Sequence, residues 1–494
     1  MIINVGKSGL NTDIAPVKLP PDALTGGDNF LCTEGSVRSP TMRLKALDLT
    51  ISAVPGEELE PLFHFVWTST DNEDKIVVSD GDKVMLYDTD GTEHDINASN
   101  RFTVGCQVTM ADLGTVLVVN SDVDGPFYYD PTTDVLVALP GWDSTWRCKV
   151  MASVRYNLVA LNMTEDGDPF PQKLRWSNSS QDGAVPTLWT PALSNDAGDD
   201  ILGETAGHII GATVFRGSLW IGKTDSLYEM RYLGGQYVYT VTRRTGDIGI
   251  SSHRGMVAGK NVLVVLSRDD IYRFDGSTAQ SISDNRVHNQ LLAQSDNGSF
   301  DYSEIIYSPN QDFALITAVG TGRTSDTTLI YSFADNTWSI ATFRNVYGFD
   351  MAAMTADTDA ELICYRNQPD PDTGSAIYQV ERFTGVYDEA LEGDYLFIDG
   401  DAVRESIPLD ANLMVEKVLP ILRGQKLNIS IGVQDSQDSA IRWTPAYEID
   451  PAARKFIPVA KVGRYLSWRV TARARQPWYF DGLDVRVQPA GDKI

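Results

Sequence analysis

Between residue 75 and about residue 385, one short unit returns seven times. Residues 75–96 give its form: an apolar strand, a turn, a second strand ending in Tyr87 and Asp88, another turn and a third strand. Residues 115–139 repeat it with Tyr129 and Asp130 in the matching place, and residues 259–282 repeat it with Phe274, Asp275 and Gly276. Residues 215–241 are a variant, residues 310–340 carry a longer first turn, and weaker copies begin near Tyr156 and Glu361. The copies start near residues 75, 115, 156, 216, 260, 312 and 361, so the spacings are 40, 41, 60, 44, 52 and 49. A period of about 40–50 residues is that of β-propeller blades, with loops inserted where the spacing stretches. A small antiparallel sheet cannot cover its own faces, and stacking such sheets in a ring buries both and leaves only short edges. The recurrent aromatic is expected to pack between blades, and the Asp to cap the turn that follows it. Two or three β-sandwiches in series would also alternate strands with turns, but would not require this recurrence.

The expectation is therefore an all-β chain, a propeller of six to eight blades over residues 61–385. Asp-Gly pairs such as Asp80-Gly81, Asp90-Gly91 and Asp275-Gly276 separate runs rich in Val, Ile, Thr, Tyr and Trp, and supply the positive φ angles that tight hairpins need. One short helix is expected near residues 286–294, where Val287, Leu291 and Leu292 share a face. Residues 1–60, with Pro16, Pro20, Pro21, Pro40 and Pro55, read as an extended N-terminal arm with short strands near 29–31 and 35–37. Residues 386–494 read as a C-terminal β-sandwich-like module, with strands at 427–433, 441–443, 465–472 and 483–487.

Charge narrows the function. Forty-one Lys and Arg face 67 Asp and Glu, a formal net charge of −26 in 494 residues. Sequence-independent grip on DNA comes from cations neutralising phosphates, so this chain repels a duplex, and an anionic membrane likewise. A protein past which DNA slides without sticking is compatible with that charge. The longest apolar runs, such as residues 262–266, are strand-sized, so no membrane segment or signal peptide is expected. Cys32, Cys106, Cys148 and Cys364 lie far apart and suggest neither a zinc nor a redox pair, and a reducing compartment is the simpler reading.

Residues 217–224 fit the phosphate-loop pattern, Gly217 through Gly222, Lys223 and Thr224. That loop needs a flexible glycine-rich turn and a following helix, whereas Ser218, Leu219, Trp220 and Ile221 have strand character. The segment is expected to be a hairpin turning at residues 223–226. Residues 120–125 match the first half of a calcium loop, but the twelfth position, where a bidentate Glu belongs, is Pro131. The five His show no paired ligand spacing, and no nucleophile elbow occurs. No catalytic, cofactor or metal-binding residue is nominated, and the chain is not expected to be an enzyme. Trp176, Trp189, Trp220 and Trp338 are expected to pack between blades rather than to serve as sugar platforms.

A series of central motifs has a counterpart. Leu174-Arg175-Trp176-Ser177, Pro186 to Thr190, Gly211 to Ile221, Asp225 to Met230, Gly246 to Gly249 and Asp270 to Gly276 follow one another in an order that resembles the tail proteins of short-tailed bacteriophages. These are variously called packaged-DNA stabilisation protein, tail tubular protein B or tail nozzle. The opening, Gly9 to Asp13 and then Asn29-Phe30, and the ending, Val462 to Arg469 with Pro489 to Gly491, are similar as well. The resemblance implies a structural virion protein, made in the host bacterial cytoplasm and carried in the tail. Six copies would form a nozzle below a ring-shaped head-to-tail adaptor, retaining packaged double-stranded DNA and conducting it during ejection. A tail fibre, tailspike or tail needle is a further candidate partner. Any narrowing of such a tube would come from acidic loop tips, for which Asp196, Asp199 and Asp200, and Asp370 and Asp372 in the loop at 369–374, are the candidates. The alternative is a carbohydrate-binding or carbohydrate-active propeller, a lectin or glycoside hydrolase.

Overall fold

The structure is a computed structural model, and it describes every residue except 40–42, 55–56, 70–71, 98–101, 182, 236, 295–299, 320–322, 354–359, 370–375, 385–397, 454, 475–476 and 491–494. Five four-stranded antiparallel sheets follow one another along the chain. Blade 1 begins with Phe63–Thr68, blade 2 with Val108–Leu113, blade 3 with Arg147–Val154, blade 4 with Ile209–Phe215 and blade 5 with Met256–Ala258. A seven-stranded sheet comes next, and it is two blades joined end to end. Its strand Thr337–Ala352 pairs through its first half, 337–342, with Ser325–Ser332, and through its second half, 346–352, with Glu361–Pro369. The two halves meet where Asn345 takes a φ of 55°. Blade 6 thus starts at Glu304–Ser308, and blade 7 starts inside the long strand.

The innermost strands touch in cyclic order from blade 1 to blade 7 and back to blade 1. The chain is a closed seven-bladed propeller. Its buried apolar residues sort, among the described residues, into seven clusters, one between each pair of neighbouring blades. Each recurrent aromatic lies in such a layer. Tyr87 packs against Ile363 and Tyr365 of blade 7, Tyr129 meets Trp67 of blade 1 edge-on at 5.6 Å, and Phe274 meets Trp220 of blade 4 at 5.5 Å. The expected caps form at Asp130, whose carboxylate accepts from Thr132 N, and at Asp275, which accepts from Ser277 N and Thr278 N. Asp88 departs from the pattern: its carboxylate pairs with Lys75 at 2.9 Å and His94 at 3.3 Å, and Asp90 caps the turn instead. Trp176, Trp189, Trp220 and Trp338 are all buried in such layers, as expected.

The ring is closed by a strand from the other end of the chain. Arg43–Thr50 adds to Ala376–Thr384 as the outermost strand of blade 7. Residues 1–38 are not a free arm. Ile2–Asn4 and the hairpin Leu31–Thr33/Ser36–Arg38 pair with Trp478–Pro489, and Gly26–Asp28 pairs with Ile398–Gly424. The arm also holds blade 6: Leu10 N donates to Trp338 O, and Cys32 N donates to Ser339 Oγ. The C-terminal module is hydrogen-bonded as one ten-stranded sheet rather than as two separate sheets. Its 27-residue strand Ile398–Gly424 pairs over 398–418 with 457–474 and over 413–424 with 478–489. The sheet folds over, because Trp468 and Phe480, far apart along it, meet at 5.1 Å. The core of this module runs without a break into the layer between blades 5 and 6. The helix, His288–Gln294, lies beside that layer, and the Asp13 carboxylate accepts from His288 N and Asn289 N at its start.

Candidate functional site

The seven inner strands enclose a central channel with a cavity of about 670 Å³. Each blade contributes apolar wall: Phe65, Met110, Met151, Val214, Val257, Ile306 and Met351 in ring order. Polar groups stand among them. Asp112 has Ser153 Oγ at 3.5 Å, and desolvation by the surrounding channel wall pushes its carboxyl up although the residue stays open to the channel. Arg323 lies over the Tyr302 ring, 4.9 Å from its centre.

A charged cluster at the channel wall joins four blades. His64 comes from blade 1, Arg254 from the approach to blade 5, Glu304 from blade 6 and Asp350 from blade 7. His64 Nδ1 lies 2.7 Å from Asp350 Oδ2, and His64 Nε2 lies 3.5 Å from Glu304 Oε2. Arg254 reaches Glu304 at 3.2 Å and Asp350 at 2.5 Å, and donates to the carbonyls of His64 and Phe349. Phe349 N donates to Glu304, and the His64 ring stacks on Tyr365 at 4.2 Å. A Cβ at Gly348 would collide with His64 and Glu304, so the cluster closes over bare backbone.

The two carboxylates sit in unlike fields. Burial would raise Asp350, but Arg254 and His64 prevail and hold it down to about 2. Burial dominates at Glu304 and leaves its pKa raised despite the same two neighbours. Burial also opposes the Arg254 charge, but Asp350 and Glu304 outweigh it and hold the guanidinium protonated. Every member is satisfied by another member or by backbone, so the arrangement is a lock between blades with its donors and acceptors engaged.

The sequence candidates fall elsewhere. Asp199 and Asp200 lie on the edge strand Gly198–Ile201 of blade 3 rather than at a loop tip. Asp199 is 3.2 Å from Lys173 and 3.3 Å from Arg175. Asp196 is in the preceding loop, where its carboxylate accepts from Ser179 N and its carbonyl accepts from Trp176 Nε1. All three are at the outer rim of blade 3, away from the channel lining. Asp370 and Asp372 lie outside the described residues. The expected hairpin forms: Ser218–Lys223 is its first strand and Leu227–Tyr232 its second, and the turn between them is closed by Lys223 N donating to Ser226 O. The Lys223 ammonium is buried and donates to Leu202 O, Thr205 O and Thr205 Oγ1, an arrangement that leaves it no reach toward a phosphate. In the calcium-like stretch, Asp124 accepts from Thr103 N and Ser121 Oγ, and Asp122 accepts from Gln107 N. No group of three or more His, Cys, Asp or Glu is arranged for a metal among the described residues. No helix among them is long and apolar enough to cross a membrane.

Sequence reasoning missed the four-blade cluster. Its members are spread from residue 64 to residue 350 and carry no local motif. The one usable signal was that each stands at or beside an inner strand.

No protein-family model matches the sequence, and no curated protein matches it. Among solved structures, the chain is similar to the β-propeller domain of Cps50 (Swd1) from Myceliophteria thermophila, at 9% identity and a TM-score of 0.42, over 69% of this chain and 100% of that one. At that distance the likeness carries no argument, and the assignment of a seven-bladed propeller rests on the sheet order and ring closure described above.

Proposed function

We propose that this chain is a structural, non-enzymatic protein of a short-tailed bacteriophage tail. In this reading six copies form a nozzle below the head-to-tail adaptor, retain packaged DNA and conduct it at ejection. The observation that carries the reading is the charge, −26 on a rigid all-β chain whose motif order resembles that family. An acidic wall keeps DNA from adhering while it moves. The propeller's own channel is not the conduit, since about 670 Å³ is the scale of a small-molecule cavity. The duplex would pass through the space that the copies enclose. The rim position of Asp196, Asp199 and Asp200 suits residues that face such a space.

The experiment is electron cryo-microscopy of the particles that contain this chain. Six copies below the adaptor are the expected result, and absence from the particles, or another copy number, refutes the reading. The carbohydrate reading keeps one supporting observation, the small-molecule size of a channel that carries Phe65, Tyr302 and Asp112. Against it, none of the ten Trp is exposed. Glycan binding by the monomer, lost on Asp112→Asn, would favour that reading instead.

A further inference from the structure

The central channel differs at its two ends. The inner strands run one way along the axis, as the parallel bridge between Arg254 and Glu304 shows, so the start and the end of these strands mark two levels. Where they start, the cavity is crowded with charge. His64, Arg254 and Glu304 of the lock stand there. Asp80 follows a strand whose last residue pairs with Phe63, Asp301 precedes Glu304, and Arg323 follows Thr317, the partner of Glu304. These charges are engaged or open to solvent. The Asp80 carboxylate accepts from Asp82 N and Lys83 N, Arg323 lies on the Tyr302 ring, and Asp301 is exposed.

Where the inner strands end, one charge outside the lock remains. Asp112, Ser153, Val214, Tyr307 and Met351 are each the last residue but one of an inner strand, and all line the cavity. Asp112 is open to the channel, and no cation among the described residues pairs with it. Its hydrogen bond from Ser153 Oγ is long at 3.5 Å. At the same level Val214 is 47% exposed and Met351 is half-buried, as is Met110 one turn of the pleat below Asp112. In blades 1 to 6 the inner strand is also the edge of its sheet, so backbone carbonyls without a strand partner face the channel.

We infer that this end of the channel binds a small organic cation, with its ammonium on Asp112 and its apolar body against Val214, Met351 and Met110. A carboxylate held beside apolar wall attracts a cation more strongly than one in open water does. An ammonium gives that carboxylate charge-assisted hydrogen bonds and has donors left for the channel-facing carbonyls. A hydrated metal ion would leave Val214 and Met351 wet, whereas an apolar body takes them out of water. Methionine side chains adapt to the shape of such a body. The cavity, about 670 Å³, has the size of a small-molecule site, and such sites are mainly apolar with a few placed polar groups. A sugar asks for more polar partners than this level offers, since the Tyr307 hydroxyl already donates to Asp312 at 2.8 Å. The inference does not rest on the nozzle reading, in which the duplex passes outside this channel.

The test is calorimetric titration of the purified full chain at physiological salt, which screens its exposed acidic surface. The probes are tryptamine, an indole carrying an ethylammonium, and tryptophol, in which a hydroxyl replaces the ammonium. Tryptamine is expected to bind about tenfold or more tightly than tryptophol, and Asp112→Asn is expected to abolish that preference. Val214→Trp, which fills the mouth, is expected to weaken both probes alike, with an unchanged unfolding midpoint as the check that it folds. If it does not fold, Asp112→Asn decides alone. Equal binding of the two probes, a preference that survives Asp112→Asn, or binding that a folded Val214→Trp leaves intact overturns the inference. So does the absence of tryptamine binding at millimolar concentration. An oligosaccharide that binds where tryptamine does not, and is lost on Asp112→Asn, overturns it in favour of the carbohydrate reading. The nozzle reading fails separately, on the copy number in particles.

Discussion

The joint between blades 3 and 4 and the seam between blades 7 and 1 meet the same packing demand with different parts. The first is built from consecutive chain and is mainly apolar: Leu161 and Leu174 share a layer with Ile221 and Met230, and Trp176 meets Tyr239 edge-on at 5.7 Å. The polar links across it, Tyr239 Oη donating to Asn157 Oδ1 and Asn162 Nδ2 donating to Ile209 O, are uncharged. The second joins segments almost three hundred residues apart, and beside its apolar layer it carries the charged lock of His64, Asp350, Arg254 and Glu304. Apolar burial is non-directional, whereas this cluster fixes which carboxylates and which carbonyls meet the Arg254 guanidinium. The difference teaches that where the chain itself does not dictate adjacency, this fold adds groups that define register.

Four measurements break or sharpen that contrast, in falling order of effect. Arg254→Met leaves two carboxylates and a histidine facing one another without their cation, and is expected to cost about 3–5 kcal/mol in urea unfolding. A loss under about 1 kcal/mol would mean that the lock contributes little beyond ordinary packing. In the apolar joint, Met230→Ala is expected to cost about 3 kcal/mol through the cavity it leaves, by the same amount at acid and neutral pH. Dependence on pH belongs to the seam. The Asp350 pKa lies near 2 instead of 3.8, so its contribution is present above 3.8 and is lost as pH falls toward 2. The stability gap between wild type and Asp350→Asn is therefore expected to shrink by about 2 kcal/mol from pH 4 to pH 2. Glu304 has the opposite sign: its raised pKa favours the fold below 4.5, and that gain is lost as pH rises. A gap that stays constant with pH would show that Asp350 does not titrate as its neighbours dictate. Last, Tyr237→Ser on the exposed face of blade 4 is expected to change folding stability by less than about 0.5 kcal/mol, and a large loss would place that loop inside a core.

The propeller was legible because Tyr87, Tyr129 and Phe274 mark the end of the same strand, the third, in blades 1, 2 and 5. All seven sequence units correspond to blades, but they are out of phase by one strand. The unit begins at the second strand of a blade, because the inner strand, such as Phe63–Thr68, carries no aromatic–Asp ending. The channel and its lock belong to those unmarked strands, which is why the site residues were missed. Arg43–Thr50 pairs with a strand more than three hundred residues later, and nothing local encodes that partnership. The strand Ile398–Gly424 was hidden by Pro408 and Pro420 and by charges such as Asp401, Arg404 and Glu416, which break the alternation expected of a strand.

The closing strand of blade 7 has a consequence for biosynthesis. Arg43–Thr50 leaves the ribosome more than three hundred residues before its partner, Ala376–Thr384. Ile2–Asn4 must wait longer still, for Trp478–Pro489. These strands are thus made before the blades but placed after them, and six blades must stand as an open arc until they are. During translation the exposed edge of that arc needs protection from other nascent chains, which its acidic first two blades supply by repulsion.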